Sequence, residues 1–300
     1  MTRKRADWVS GRSTKLRGEP MRVNNAFAER MADNAQSMVY KMNKDVTSQI
    51  NKLFSTPTAK NSITKVPDEI TTNDFVEDGI AMDASIASQS RILMNKLIKK
   101  WENKFNLFGN NFAKNMVGTV TKQSAKDLKR STEKLSGGLS IKTDSLSDRT
   151  KDIIIASTDE SASLIKTIAT NYTTEVKEAV SRSISSNTGS FTSLKESINS
   201  MLQDKYKKHK NKAKNVALDQ TRKAYSNIAA SKMKDIGVTS YVWKHSGGSQ
   251  NPRAYHKNVL NGQVFKLSEP PIINQSTGER GKPGDDYNCK CYMSPVIEFN

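Results

Sequence analysis

Apolar residues recur at steps of three and four along most of the first 200 residues, and this spacing is the strongest constraint on the fold. One stripe comprises Met31, Ala35, Met38, Met42, Val46, Ile50 and Leu53, and a second comprises Leu93, Leu97, Trp101, Phe105, Phe108, Phe112 and Met116. Because residues at this spacing share one face of an α-helix, each stripe predicts an amphipathic helix that buries that face. The regular spacing of the aromatic residues favours packing over stacking on nucleic-acid bases.

The helical pattern is interrupted by three polar segments and ends at Gly237. These segments are "STPTAKNSITKVPDEITTND", "STEKLSGGLSIKTDSLSDRT" and "SSNTGS". Two further stripes flank the last of them and comprise Ile165, Ile168, Tyr172, Val176, Val180 and Ile184, then Phe191, Leu194, Ile198 and Leu202. Gly237 can adopt the left-handed conformation that ends a helix. After it, "VTSYVWKH" and "CYMSPVIEF" predict strands, and Asn261-Gly262 predicts a tight hairpin.

The sequence therefore predicts an α+β fold with an extended, mainly helical N-terminal body and a small β-containing C-terminal domain. Residues 1–20 are basic and lack an apolar period, so we expect a flexible basic arm. Residues 21–184 form the predicted helical body, and residues 185–300 form the predicted C-terminal domain of helices followed by a small β unit. No apolar run approaches the roughly 20 residues that span a bilayer, so we expect no membrane span and a cytosol-like compartment.

Basic residues are in clear excess, with 48 Lys and Arg against 30 Asp and Glu and a formal net charge of +18. Such an excess favours a polyanionic partner such as nucleic acid. The candidate phosphate contacts lie in the N-terminal arm and in the run "KYKKHKNKAK"; they are Arg3, Lys4, Arg5, Lys205, Lys207, Lys208, Lys210, Lys212 and Lys214. They predict salt-dependent, nonspecific binding of double-stranded DNA. The alternative interpretation of the lysine run is a basic helix whose charged side chains face solvent and bind no DNA.

The only two cysteines, Cys289 and Cys291, lie one residue apart near the C-terminal end. Together with His256 they offer three ligands of the types found in structural zinc sites, and His245 is a further candidate. On an extended strand the two thiols would point to opposite faces, so a shared ion requires a turn or bulge. The same spacing strains a disulfide, and buried reduced cysteines beside a histidine are the alternative to zinc.

No catalytic residue is assigned from the sequence. Neither cysteine lies in a context typical of a nucleophile, and the chain has no phosphate-binding loop or dinucleotide-binding fingerprint.

The order of the C-terminal motifs is more specific than any one of them. The segment "ALDQTRKAYSNIAASKMKDIGV" is followed by "YVWKHS", "NPRAYHKNVLNGQVFKL", "EPP" and "KPGDDYNCKCYMSPV". This order resembles the C-terminal domain of the phage Mu F-like minor head proteins, the head morphogenesis family. The residues that carry the resemblance are Asp219, Gln220, Gly237, Trp243, Arg253, His256, Gly262, Phe265, Pro283, Gly284, Cys289, Lys290 and Cys291. Leu218 and Lys290 stand where the family tends to have arginine.

The resemblance implies a non-enzymatic minor head protein of a tailed phage or prophage. It implies a location in the capsid interior of the virion, and in the host cytoplasm during assembly. The implied partners are the portal protein, other head proteins and packaged DNA, with roles in head morphogenesis, DNA packaging and ejection. Because the family's domain is sometimes joined to toxin modules, a metal-dependent prophage enzyme or toxin is one alternative. A nonspecific DNA-binding protein outside any virion is another.

Overall fold

The computed structural model of the chain describes residues 14–55, 85–135, 146–186, 190–248 and 252–299. Long helices account for most of these residues; they are α1 (Asn25–Leu53), α2 (Ile86–Leu135), α3 (Asp148–Ser185) and α4 (Phe191–Asp235). The strands are short; they are β1 (Thr14–Arg17), β2 (Ser240–Lys244), β3 (Val264–Lys266), β4 (Ile272–Asn274), β5 (Glu279–Arg280) and β6 (Tyr292–Phe299). The predicted fold class, a mainly helical body followed by a small antiparallel β region, is confirmed.

The chain folds into two compact units, each assembled from separated segments. The sheet unit comprises Met1–Ala28, Asn115–Ser157 and Asp219–Asn300, and the helical unit comprises Glu29–Lys114 and Thr158–Leu218. Every long helix contributes residues to both units. The boundaries that the sequence suggested at residues 20 and 184 therefore do not coincide with those of the units, because a periodic stripe runs on through a unit boundary without any break in composition.

The core of the helical unit is built from the predicted stripes. Met42, Val46 and Val176 are fully buried. Trp101 and Phe105 are also buried, with their rings in an edge-on contact at 6.4 Å. The aromatic stripe therefore packs within the protein, as its regular spacing predicted. Within the described ranges, no helix combines the length and apolar character needed to cross a membrane.

The sheet unit contains an antiparallel sheet with the strand order β1-β6-β2-β3. Strand β6 is central and pairs with β2 from Ser240↔Val296 to Lys244↔Tyr292. Its other edge pairs with β1, in which Leu16 lies opposite Ile297. The sequence assigned residues 1–20 to a flexible arm, whereas Thr14–Arg17 form the edge strand of this sheet. Such a short, basic edge strand carries no apolar period that sequence reasoning could detect. Arg3, Lys4 and Arg5 lie outside the described residues.

Two glycines with left-handed backbone conformations, Gly237 and Gly262, flank the segment that contains β2 and a π-helical turn. Gly237 has φ +80° and ends α4 as predicted, because the N–H of Val238 donates to the carbonyl of Met233 at 2.9 Å. Gly262 has φ +87°, and its N–H donates to the carbonyl of Trp243 at 2.8 Å. The prediction of a tight hairpin at Asn261-Gly262 is wrong. The residues before Asn261 form a π-helical turn, His256–Leu260, instead of a strand, and β3 pairs with the more distant strand β2.

Candidate functional site

Cys289 and Cys291 lie where a tight turn leads into β6, and both thiols approach His256. The Sγ atom of Cys289 lies 3.7 Å from Nδ1 of His256, and that of Cys291 lies 3.9 Å from the same nitrogen. The three atoms all lie within 4.8 Å of one another. The turn is closed by the N–H of Cys289, which donates to the carbonyl of Asp286 at 3.0 Å, and Asn288 within it has φ +54°. The chain is thus not extended here, so the two thiols need not face opposite sides.

The His256 side chain is buried and held from two directions. Its ring makes an edge contact with the Trp243 ring, with centroids 5.1 Å apart. Its Nε2 atom lies 2.9 Å from the carbonyl oxygen of Ile273. Because a carbonyl only accepts hydrogen bonds, Nε2 carries the ring proton, and in the neutral ring the lone pair of Nδ1 faces the two thiols.

Other motif residues hold the turn that carries the cysteines. Oδ1 of Asp219 on α4 accepts a hydrogen bond from the N–H of Asn288 at 2.8 Å. Oγ of Ser226, two turns further along α4, donates to the carbonyl of Pro283 at 2.6 Å. Gly284 follows with φ +94°, and a Cβ atom at this position would lie 3.3 Å from Cβ of Ser226. The turn therefore lies directly against the helix, and Gln220 is buried next to Asp219.

Arg253 fixes the same turn from the opposite side. Its Nε atom lies 3.1 Å from Oδ2 of Asp286, and Nη2 donates to the carbonyl of Tyr287 at 2.6 Å. Oδ2 of Asp286 also lies 3.8 Å from Nε2 of His256. Two motif residues of the sequence analysis, Asp219 and Arg253, thus hold the turn from opposite sides through contacts with its backbone.

The two thiols have opposite protonation preferences. A hydrogen bond between them lowers the pKa of Cys289 to about 5, and His256 and the N–H groups of Cys291 and Gly284 act in the same direction. That shared hydrogen bond, together with burial, raises the pKa of Cys291. Burial opposes protonation of His256, but contacts with Cys289 and the Ile273 carbonyl outweigh it and raise the pKa of the imidazole.

A small cavity of about 30 Å³ opens beside the cluster and is lined by residues that include His245, Ser246, Arg253 and Lys290. His245 does not join the three-residue cluster. Its Nδ1 atom accepts a hydrogen bond from the N–H of Gly247 at 3.1 Å, so the proton of the neutral ring lies on Nε2.

Sequence reasoning missed two contributors, Asp286 and the carbonyl of Ile273. Asp286 lies within the quoted "PGDDYNCKC" stretch, but the pattern does not distinguish it from Asp285. In the structure, Asp285 binds Lys282 at 2.8 Å, whereas Asp286 faces Arg253. The Ile273 carbonyl is a backbone group, and no residue type marks it in the sequence.

The basic run lies on α4 within the helical unit, where acidic groups partly neutralise it. Glu175 contacts Nζ of Lys205 at 3.1 Å and of Lys208 at 2.7 Å. Nζ of Lys214 lies 3.8 Å from a carboxylate oxygen of Glu29. Nζ of Lys210 lies 5.8 Å from the ring centroid of Tyr206. The run therefore offers less charge to a polyanion than its six lysines suggest. Its exposed members are Lys207, Lys208 and Lys214.

Glu175 should make the stability of the helical unit sensitive to acid. Burial opposes its ionisation, but hydrogen bonds from Lys208 and Lys205, and the His209 ring with Nε2 at 3.3 Å, outweigh burial and lower the pKa of Glu175 to about 2. A lowered pKa in the folded state stabilises the fold above the unfolded-state value of 4.5, and this stabilisation is lost as the pH falls towards 2. We expect Glu175→Gln to cost about 1 kcal/mol at neutral pH and to flatten the loss between pH 4.5 and 2.

Urea denaturation at a series of pH values measures this effect. Glu178→Gln is the matched control. Glu178 lies on the same helix, but its side chain is 57% exposed, and its one described ion pair, with Arg182, is long at 4.0 Å. The control should keep the wild-type pH profile. An identical profile for Glu175→Gln and Glu178→Gln would contradict the prediction.

Comparison with known proteins agrees with the C-terminal motifs. Residues 174–294 match the family model described as "Phage Mu protein F like protein", which confirms the resemblance over this stretch. The chain is also similar to an uncharacterized protein of Haemophilus influenzae, with 27% identity over 137 residues. That alignment covers 46% of this chain and 28% of the relative, so the chain spans little more than a quarter of the length of this curated relative. No solved structure matches the chain significantly.

Proposed function

We propose that the chain is a non-enzymatic minor head protein of a tailed phage or prophage. It acts inside the capsid, in head morphogenesis, portal association and the packaging or ejection of DNA, and it resides in the host cytoplasm during assembly. The observation that carries the proposal is the phage Mu F-like match over residues 174–294. Asp219 and Arg253 in that stretch support a structural role, because their side chains bind the backbone of the turn that carries the cysteines.

Charge supports contact with packaged DNA. The net charge of +18 favours a polyanionic environment, and phosphate contacts by lysines give sequence-independent binding. Lys207, Lys210 and Lys212 are the candidates on α4 that have no ion pair described in the helical unit. Lys205, Lys208 and Lys214 are paired with glutamates and contribute less. Arg3, Lys4 and Arg5 complete the proposed DNA-binding set.

The proposal is tested by quantitative mass spectrometry of procapsids and virions purified after induction of the phage. We expect the protein in both particles, at a fixed ratio to the portal protein. Treatment of procapsids with a chemical cross-linker, before DNA enters, should join it to the portal or to other head proteins. A strain that lacks the gene should give particles with an assembly or ejection defect, and the wild-type gene should rescue them. Absence of the protein from both particles would overturn the proposal, and recovery on host DNA alone would favour a nonspecific DNA-binding protein outside the virion.

A further inference from the structure

We propose that Cys289, Cys291 and His256 bind one zinc ion, or another divalent transition metal with the same ligand preference, through their two Sγ atoms and Nδ1. The inference is independent of the proposed function, because it is based on the geometry of the cluster alone. No other group of three or more His, Cys, Asp or Glu residues with metal-binding spacing occurs among the residues that the structure describes.

The distances fit tetrahedral coordination. Zinc–sulfur and zinc–nitrogen bonds of about 2.3 and 2.05 Å at tetrahedral angles require N···S separations of roughly 3.5 Å. The observed separations from Nδ1 of His256 are 3.7 Å to Cys289 and 3.9 Å to Cys291. Shifts of a few tenths of an ångström are therefore sufficient to bring both sulfurs to the required distance from Nδ1, and the two sulfurs lie within 4.8 Å of each other.

The protonation of the imidazole is also appropriate for a metal ligand. A metal-binding histidine usually donates its second ring N–H to a carbonyl or carboxylate, which fixes the tautomer and the orientation of the ring. Nε2 of His256 has such a partner in the Ile273 carbonyl at 2.9 Å, and Oδ2 of Asp286 lies 3.8 Å away. Nδ1 is thereby left as the atom that faces the two sulfurs.

A third feature is a buried hydrogen-bond donor beside the cluster. The indole N–H of Trp243 is fully buried and makes no hydrogen bond of normal geometry to any described group. The indole ring lies against the His256 ring, with centroids 5.1 Å apart. A metal-bound thiolate is an acceptor for such an N–H, because ligand atoms are generally hydrogen-bonded by the surrounding groups. A neutral thiol satisfies the indole less well, since it is a weak acceptor.

The fourth ligand comes from outside this set. The cavity of about 30 Å³ beside the cluster has room for one water molecule. His245 lines this cavity, but its Nδ1 is engaged by the N–H of Gly247, and Nε2 of its neutral ring carries the proton. We therefore assign three protein ligands and one water, with the thiol protons released to solvent when the metal binds.

Cobalt titration of the purified full-length chain tests the assignment. The protein is first freed of metal and kept reduced, and Co²⁺ is then added. Because the chain has only two cysteines, any thiolate-to-cobalt charge-transfer absorption must come from Cys289 and Cys291. We expect saturation at one equivalent, visible absorption typical of tetrahedral cobalt, and displacement by one equivalent of Zn²⁺. A folded wild-type chain without this absorption would overturn the proposal.

Three variants identify the ligands. Cys289→Ser and Cys291→Ser should each lower the charge-transfer intensity by about half and weaken binding, and His256→Ala should weaken it at least 10-fold. His245→Ala is the matched control and should retain wild-type affinity, whereas loss of cobalt binding there would overturn the three-residue assignment. If a ligand variant fails to fold, the wild-type chain remains decisive, because one equivalent of Zn²⁺ should raise its melting temperature and Mg²⁺ should not.

Discussion

Replacement of Trp243 by alanine should lower the free energy of unfolding of the sheet unit by about 3–5 kcal/mol, the range for removal of a large buried aromatic side chain. Trp243 is fully buried on β2, with ring contacts to His256 at 5.1 Å and to Phe265 at 6.5 Å. Its removal leaves a cavity beside the imidazole, because the paired strands on both sides of β2 limit any collapse. Urea denaturation followed by circular dichroism measures the loss.

The Trp243 variant should also expose the cysteine cluster. We expect faster reaction of the two thiols with a small disulfide reagent under native conditions, because the indole covers one side of His256 and lies near Cys291. Tyr287→Ala is the control, since this aromatic side chain belongs to the same unit but is 57% exposed, and its replacement should change stability by less than about 0.5 kcal/mol. Equal stability losses in the two variants would contradict the assigned role of Trp243.

Gly284→Ala should destabilise the sheet unit by about 2–6 kcal/mol, through two separate effects. The backbone at Gly284 has φ +94°, which costs a residue with a Cβ atom about 1–3 kcal/mol. The added methyl group would lie 3.3 Å from Cβ of Ser226 and 3.5 Å from the carbonyl oxygen of Arg222, so the turn must move away from α4. Such overpacking costs a further 1–3 kcal/mol, typically.

Gly262→Ala separates these two effects. Gly262 has a similar φ of +87°, but a Cβ atom there would meet nothing within 4 Å. This variant should show only the backbone cost, so the difference in stability between the two variants measures the packing of the turn against the helix. The hydrogen bond from Ser226 to Pro283 should weaken only in the Gly284 variant, with faster amide exchange at Cys289. Equal losses in both variants would show that close packing at Gly284 is unimportant.

Much of the candidate site could be predicted from residue order. The motif residues Asp219, Trp243, Arg253, His256 and Cys289 were identified together, and the structure brings each of them to the turn or to the imidazole beside it. Their partners could not be predicted, because Ile273 and Tyr287 contribute only backbone carbonyls. The Asn261-Gly262 pattern predicts a tight hairpin that the structure does not contain, since a local turn preference does not determine which strands pair.

The sequence by itself determined the helices with their inward faces, and the strands β2 and β6 after Gly237. These features depend on local spacing, and burial of an apolar stripe follows directly from helical or strand geometry. Only the tertiary structure decided that Thr14–Arg17 complete the sheet and that Glu175 neutralises part of the basic run, because these contacts join residues far apart in the chain. It also decided that Cys289 and Cys291 face one imidazole. Their spacing allows opposite or common directions, and the choice depends on contacts with His256, which lies 33 and 35 residues away in the chain.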